Sequence, residues 1–121
     1  MSFSGKNPFK IPRQVWNPGG YELETLGAAK TLKHDDAQML GLDPGGSNRT
    51  ITLPAPRKGA WFWIFNRADG SENLLIAQAD DSTTLATVNQ NESAIVFCAA
   101  DAADASASGW SLLAVVPINL S

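Results

Sequence analysis

The strongest constraint on this chain is its punctuation. Nine short apolar runs are separated by turn-forming residues at intervals of about ten positions, the pattern that builds two-layered or closed β structures. The spacing predicts strands over Tyr21–Leu26, Lys30–Lys33, Gln38–Leu42, Arg49–Leu53, Ala60–Asn66, Asn73–Ala77, Thr83–Val88, Ser93–Ala99 and Trp110–Val116. Between them lie Asp43-Pro-Gly-Gly46, Pro54-Ala-Pro-Arg-Lys-Gly59, Arg67-Ala-Asp-Gly70 and Ser108-Gly109, which combine fixed φ at proline with positive φ at glycine. Only 99–108 has helix propensity. Its Ala, Asp and Ser residues offer no apolar face to bury, so a loop or single turn is expected there. The expected fold is all-β, one β-sandwich or jelly-roll-like domain over 21–121, preceded by an extended arm over 1–20.

The arm differs from the rest in every local respect. Pro8, Pro12 and Pro18, with Gly5, Gly19 and Gly20, exclude a helix or a central strand and favour an extended path. Residues 1–19 carry Lys6, Lys10 and Arg13 and no acid, whereas the remainder carries six basic and twelve acidic residues. Phe3, Phe9, Ile11, Val15 and Trp16 are interleaved with those charges. An extended segment cannot bury such side chains against itself, so they must pack on the domain, a sister copy or a partner. The residues expected to engage that partner are Lys6, Phe9, Lys10, Ile11, Arg13 and Trp16, cations for an acidic surface and apolar anchors for affinity.

Two strands are more apolar than one core requires. Trp61-Phe-Trp-Ile-Phe65 is apolar on both faces, and Trp110-Ser-Leu-Leu-Ala-Val-Val116 has Ser111 as its one polar residue. A sandwich of 121 residues has one interior layer, and its outer faces normally alternate to polar. The excess predicts cover by the arm or by another copy, with Trp61, Trp63, Phe65 and Trp110 placed in a subunit interface or core. Charged residues make up 17% of the chain, below the roughly 25% usual for soluble domains. That deficit also favours association.

Catalytic and metal chemistry find little foothold. One His and one Cys nearly exclude a His/Cys metal cluster and a Cys/His catalytic pair, and a disulfide is excluded within the chain. His34-Asp35-Asp36 and Asp80-Asp81-Ser82 read as turns, because adjacent residues on extended backbone point to opposite faces. No nucleotide-binding glycine loop and no nucleophile elbow occurs. An acidic body with pI near 4.9 disfavours nucleic acid. No apolar run approaches the ~20 residues that span a bilayer. The three Asn-x-Ser/Thr sequons, at Asn48, Asn91 and Asn119, read as coincidence, since the N-terminus lacks a secretory pattern. The tryptophans of the predicted strands read as core or interface rather than as a sugar platform. No enzyme activity, cofactor or metal is expected.

Three stretches carry a resemblance. Lys30-Thr-Leu-Lys-His-Asp-Asp-Ala-Gln-Met-Leu-Gly-Leu-Asp43, then Arg49-Thr-Ile-Thr-Leu-Pro54, then Gly59-Ala-Trp-Phe-Trp-Ile-Phe-Asn66 resemble small β-domains of tailed-bacteriophage virion proteins. The closing Gly109-Trp-Ser-Leu-Leu-Ala-Val115 is similar to their Trp-containing last strand, so the pattern covers residues 30–116. It looks most like a capsid decoration (cement) protein. The resemblance implies a homotrimer on the outer capsid surface, made in the bacterial host cytoplasm, with the major capsid protein as partner and the arm reaching over the shell. Its alternative is a fibre or tail-associated receptor- or glycan-binding module, which shares the same grammar.

Overall fold

The computed structural model describes residues 20–80, 83–101 and 109–118. Nine strands form in chain order: β1 (Tyr21–Thr25), β2 (Lys30–Thr31), β3 (Met39–Asp43), β4 (Arg49–Thr52), β5 (Trp61–Asn66), β6 (Leu74–Ala77), β7 (Thr84–Val88), β8 (Glu92–Cys98) and β9 (Trp110–Pro117). Among the described residues there is no helix, and the all-β expectation holds. The arm over 1–19 and most of the 99–108 segment lie outside the described residues.

The strands divide into a five-stranded sheet, ordered β1-β3-β5-β8-β9, and a four-stranded sheet, ordered β2-β4-β6-β7. Through β6 the chain changes sheet at every step. Same-sheet neighbours are therefore two strands apart in sequence and run parallel: β1 with β3 and β3 with β5, β2 with β4 and β4 with β6. Parallel pairing needs a long crossover, ordinarily a helix; here a strand of the opposite sheet serves. After β6 the direction reverses, and the pairs β6–β7, β5–β8 and β8–β9 are antiparallel. Both sheets are therefore mixed, whereas the sheets of a jelly roll are antiparallel Greek keys.

One core draws on both sheets. Leu40, Leu42, Phe62, Ile64, Ala94 and Val96 come from the larger sheet, and Ile51, Leu74, Ile76, Ala86 and Val88 from the smaller. Strict alternation in β5, with Phe62, Ile64 and Asn66 buried and Trp61, Trp63 and Phe65 partly open, shows which side faces in. Two buried amides tie the sheets together. Asn66 Nδ2 donates to Val88 O at 2.8 Å and to Glu72 O at 2.9 Å, while its Oδ1 accepts from Ala68 N at 2.8 Å. After β6, Gln78 Nε2 donates to Trp110 O at 3.0 Å, and its Oε1 accepts from Trp110 N at 3.4 Å. Buried polar groups are tolerated where their bonds are made, and both amides meet that condition.

Trp110 belongs to the core. It is 2% exposed, its indole N–H donates to Pro54 O at 2.8 Å, and its ring lies against Phe62 at 5.7 Å and His34 at 6.3 Å. The rest of β9 behaves differently. Leu112, Leu113 and Val115 are 38%, 62% and 41% exposed, so no layer of the described residues covers them.

Candidate interaction surface

The outward side of the five-stranded sheet is built by register. β5 sets Trp61 opposite Phe97, Trp63 opposite Ile95 and Phe65 opposite Ser93 on β8. On the other flank Met39 of β3 sits beside Trp63 and Gly41 beside Phe65, and β1 adds Tyr21 and Leu23 next to those two. β9 extends the face with Ala114 beside Ile95 and Val116 beside Ser93. Side chains alternate faces, so these residues share one surface. It runs the width of the sheet and carries no charged strand residue above it apart from Asp43 at the end of β3.

The polar groups on this face are neutralised locally. Trp63 Nε1 donates to Ser93 Oγ at 2.9 Å, and Ser93 Oγ donates in turn to Val116 O at 3.2 Å. The chain of bonds joins β5, β8 and β9 and leaves Ser93 fully buried under the indole. Trp63 and Phe65 stack with centroids 5.1 Å apart and planes at 23°, and Tyr21 meets Phe65 edge-on at 6.0 Å. Tyr21 can lie there because Gly41 has no side chain. A Cβ on Gly41 would collide with Tyr21 Oη and come within 2.7 Å of Leu23 Cδ2.

A groove of about 450 Å³ opens between these rings and the end of β9. Tyr21, Met39, Trp63 and Phe65 form one wall and residues 116–118 the other. Arg67 is its one charged residue, and it borders a second, smaller groove of about 270 Å³ with Glu24 and Asp43. Among the described residues Arg67 makes no ion pair, and its backbone N–H, not its guanidinium, is bonded, to Leu42 O at 2.8 Å. The ion pair present among the described residues is Lys30 Nζ to Glu24 Oε1 at 2.8 Å. That hydrogen bond holds the Lys30 pKa above its ordinary value, against the smaller opposing effect of burial.

The site residues expected from sequence fall into three groups. Trp61, Trp63 and Phe65 come together on the outer face, Trp110 lies in the core, and Lys6, Phe9, Lys10, Ile11, Arg13 and Trp16 lie outside the described residues. Sequence reasoning passed over Tyr21, Leu23, Ile95, Phe97 and Arg67. The alternation Tyr21-Glu-Leu-Glu24 signals one apolar face, but its continuity with β5 and β8 exists only through the pairing.

Of the two turn candidates for metal or acid–base work, Asp81 and Ser82 lie outside the described residues, and His34-Asp35-Asp36 serves the backbone. Asp36 Oδ2 accepts from Lys33 N at 2.8 Å, closing the turn after β2, and His34 Nε2 donates to Ala55 O at 2.6 Å while its ring stacks on Trp110. Among the described residues no three His, Cys, Asp or Glu side chains gather as a metal site would need. Compared with known proteins, the chain matches no family model and no curated relative.

Proposed function

We propose that this protein is a non-enzymatic virion component, a decoration (cement) protein that binds the outer surface of a phage capsid as an oligomer and stabilises the head. The observation that carries this reading is the outer face of the five-stranded sheet. Tyr21, Leu23, Trp61, Trp63, Phe65, Ile95 and Phe97 form an uncharged surface that the described residues leave open at Tyr21, Leu23 and Phe97 and partly open between them, and aromatic-rich patches depleted of charge are what protein–protein contacts are made from. Its rings are locked to one another and to Ser93, which suits a rigid contact better than a mobile reactive site.

In this reading the part of the face around Trp61, Ile95 and Phe97 joins copies of the chain. Closed symmetry is the default for homo-oligomers, and the number three follows the resemblance to decoration proteins. The basic arm, through Lys6, Phe9, Lys10, Ile11, Arg13 and Trp16, supplies cations and apolar anchors to the major capsid protein. The glycan-binding alternative has less support, since Trp63 commits its indole N–H to Ser93 and the groove presents few free polar groups.

Co-sedimentation with phage heads lacking decoration tests the proposal. Binding that saturates at hundreds of copies per head supports it. A handful of copies, or none, assigns the protein to a fibre or tail position instead. Deleting residues 1–18 should abolish binding while leaving the domain folded and oligomeric; unchanged binding would move the contact onto the β-domain.

A further inference from the structure

The groove between the β5 rings and the end of β9 has its cause in register. Phe65 of β5, Ser93 of β8 and Val116 of β9 stand in one row across the sheet. Ser93 is small and fully buried, with its Oγ bonded to the Trp63 indole, so in that row no side chain rises between the rings and β9. Along the chain Arg67 follows Phe65 by two residues, and its N–H still bonds Leu42 O at 2.8 Å. The alternation that turns Trp63 and Phe65 outward therefore carries on to Arg67. The result is an apolar groove of about 450 Å³ with one cation in its lining.

That cation is uncommitted. The Arg67 side chain is exposed, and among the described residues its guanidinium joins no ion pair. Two carboxylates line the smaller groove on its other side, and both are engaged elsewhere: Glu24 with Lys30 Nζ at 2.8 Å, and Asp43 Oδ1 with Gly45 N at 2.9 Å.

We propose that this groove binds a peptide segment of a partner protein that presents a large apolar side chain beside an aspartate or glutamate. The apolar side chain lies between the Tyr21, Trp63 and Phe65 rings and residues 116–118, and the carboxylate pairs with Arg67. The volume falls within the range of roughly 300–1,000 Å³ that ligand sites occupy. A wholly apolar occupant would strip water from the guanidinium and leave it unpaired, which is costly. A carboxylate replaces that water with two charge-assisted bonds to the planar fork. A second copy laid groove to groove brings another Arg67 and the same charge. A nucleic-acid strand brings more negative charge than one guanidinium balances, next to Glu24 and Asp43. Tyr, Trp and Arg are also the residues that most often dominate the energy of a protein contact. The site does not depend on the decoration reading and holds whichever assembly the chain joins.

NMR titration of the isotope-labelled full chain tests it. The capped pentapeptide acetyl-Gly-Phe-Asp-Val-Gly-amide should shift the Trp63 indole N–H and the Arg67 side-chain N–H together, saturating at millimolar concentration. Its Asn counterpart should bind about tenfold more weakly, because a bond between charged groups is lost. Arg67→Gln should remove that difference, and Arg67→Glu should reverse it in favour of a peptide with Lys in place of Asp. The comparison of Asp and Asn peptides needs no variant. Equal affinity for the two in the unaltered chain, or no saturable shift with either, would overturn the proposal. Tighter binding of oligothymidine at the same two resonances would also overturn it and make nucleic acid the occupant. No phage heads enter these titrations, so failure here is distinct from failure of the proposed function.

Discussion

Asn66 and Val88 are joined by a 2.8 Å hydrogen bond that runs from the end of β5 in one sheet to the end of β7 in the other. Asn66 is fully buried, and its two further bonds, to Glu72 O and from Ala68 N, close the loop that carries the chain from one sheet to the next. An apolar residue fits this position by volume but strands one donor and two acceptors.

Asn66→Leu should therefore destabilise the fold by at least ~3 kcal/mol, since each buried polar group left unpaired costs about 1–3 kcal/mol. Urea denaturation measures it as a lower midpoint. Asn66→Ser, small enough to admit water, should cost less. Equal stability of Asn66→Leu and the parent would show that the amide does not hold the sheets together.

The two sides of β5 and β8 should respond oppositely to truncation. Phe62 is 2% exposed, so Phe62→Ala should cost about 3–5 kcal/mol whatever the assembly state. Phe97, at 37% exposure on the outer face, should tolerate Phe97→Ser in the isolated chain yet lose association. Light scattering reads the difference: an oligomer for the parent, a folded monomer for Phe97→Ser. A parent that stays monomeric at micromolar concentration removes the outer face as a self-contact.

Gly41→Ala should act on Tyr21 rather than on the core. The added Cβ meets the far end of an exposed side chain, so the ring moves and the backbone need not. Stability should change by no more than ~1 kcal/mol. The chain has one tyrosine, and its ring protons should lose the ring-current shift conferred by Phe65 at 6.0 Å. An unshifted tyrosine spectrum would mean that Gly41 is not what admits the ring.

Alkaline pH tests the Lys30–Glu24 pair. A lysine whose pKa is raised by folding contributes stability that is complete below its ordinary range and disappears as pH rises through the raised value. Glu24 is 45% exposed, so solvent screening keeps the contribution in the range of surface pairs, about 0–1 kcal/mol. Lys30→Met should flatten the thermal-stability profile above about pH 10 and leave the neutral region nearly unchanged. An identical alkaline slope in both proteins would assign it to other groups.

Strand positions were legible in the sequence because their causes are local. Prolines and glycines at Pro44, Gly45, Pro54 and Gly59 stop strands wherever they occur, and alternation such as Phe62/Trp63/Ile64 survives any pairing. Eight of the nine observed strands lie within one residue of the predicted ends at both termini, and β2 is the one shortened by two, to Lys30–Thr31. The excess of apolar residues in β5 also marked the outward rings Trp61, Trp63 and Phe65, which are partly open. What the strands pair with was not local. The parallel β1-β3-β5 and β2-β4-β6 runs arise because each connection crosses to the opposite sheet, and nothing within a single strand encodes its neighbour's direction.

The face presented by β9 shows the same limit most sharply. Its pairing with β8 slips between Ile95 and Val96, where the partners change from Ala114 to Leu112 and Leu113 is left over. That extra residue reverses the alternation, so Trp110 packs in the core while Ala114 and Val116 join the outer surface and Leu113 stands 62% exposed. Read alone, Trp110-Ser-Leu-Leu-Ala-Val-Val116 is apolar nearly throughout and names neither side. By itself the sequence determined where the chain extends, where it turns and that its apolar content exceeds one core. Only the tertiary structure decided which rings form the outer face and where the groove opens, because both depend on register between strands far apart in sequence.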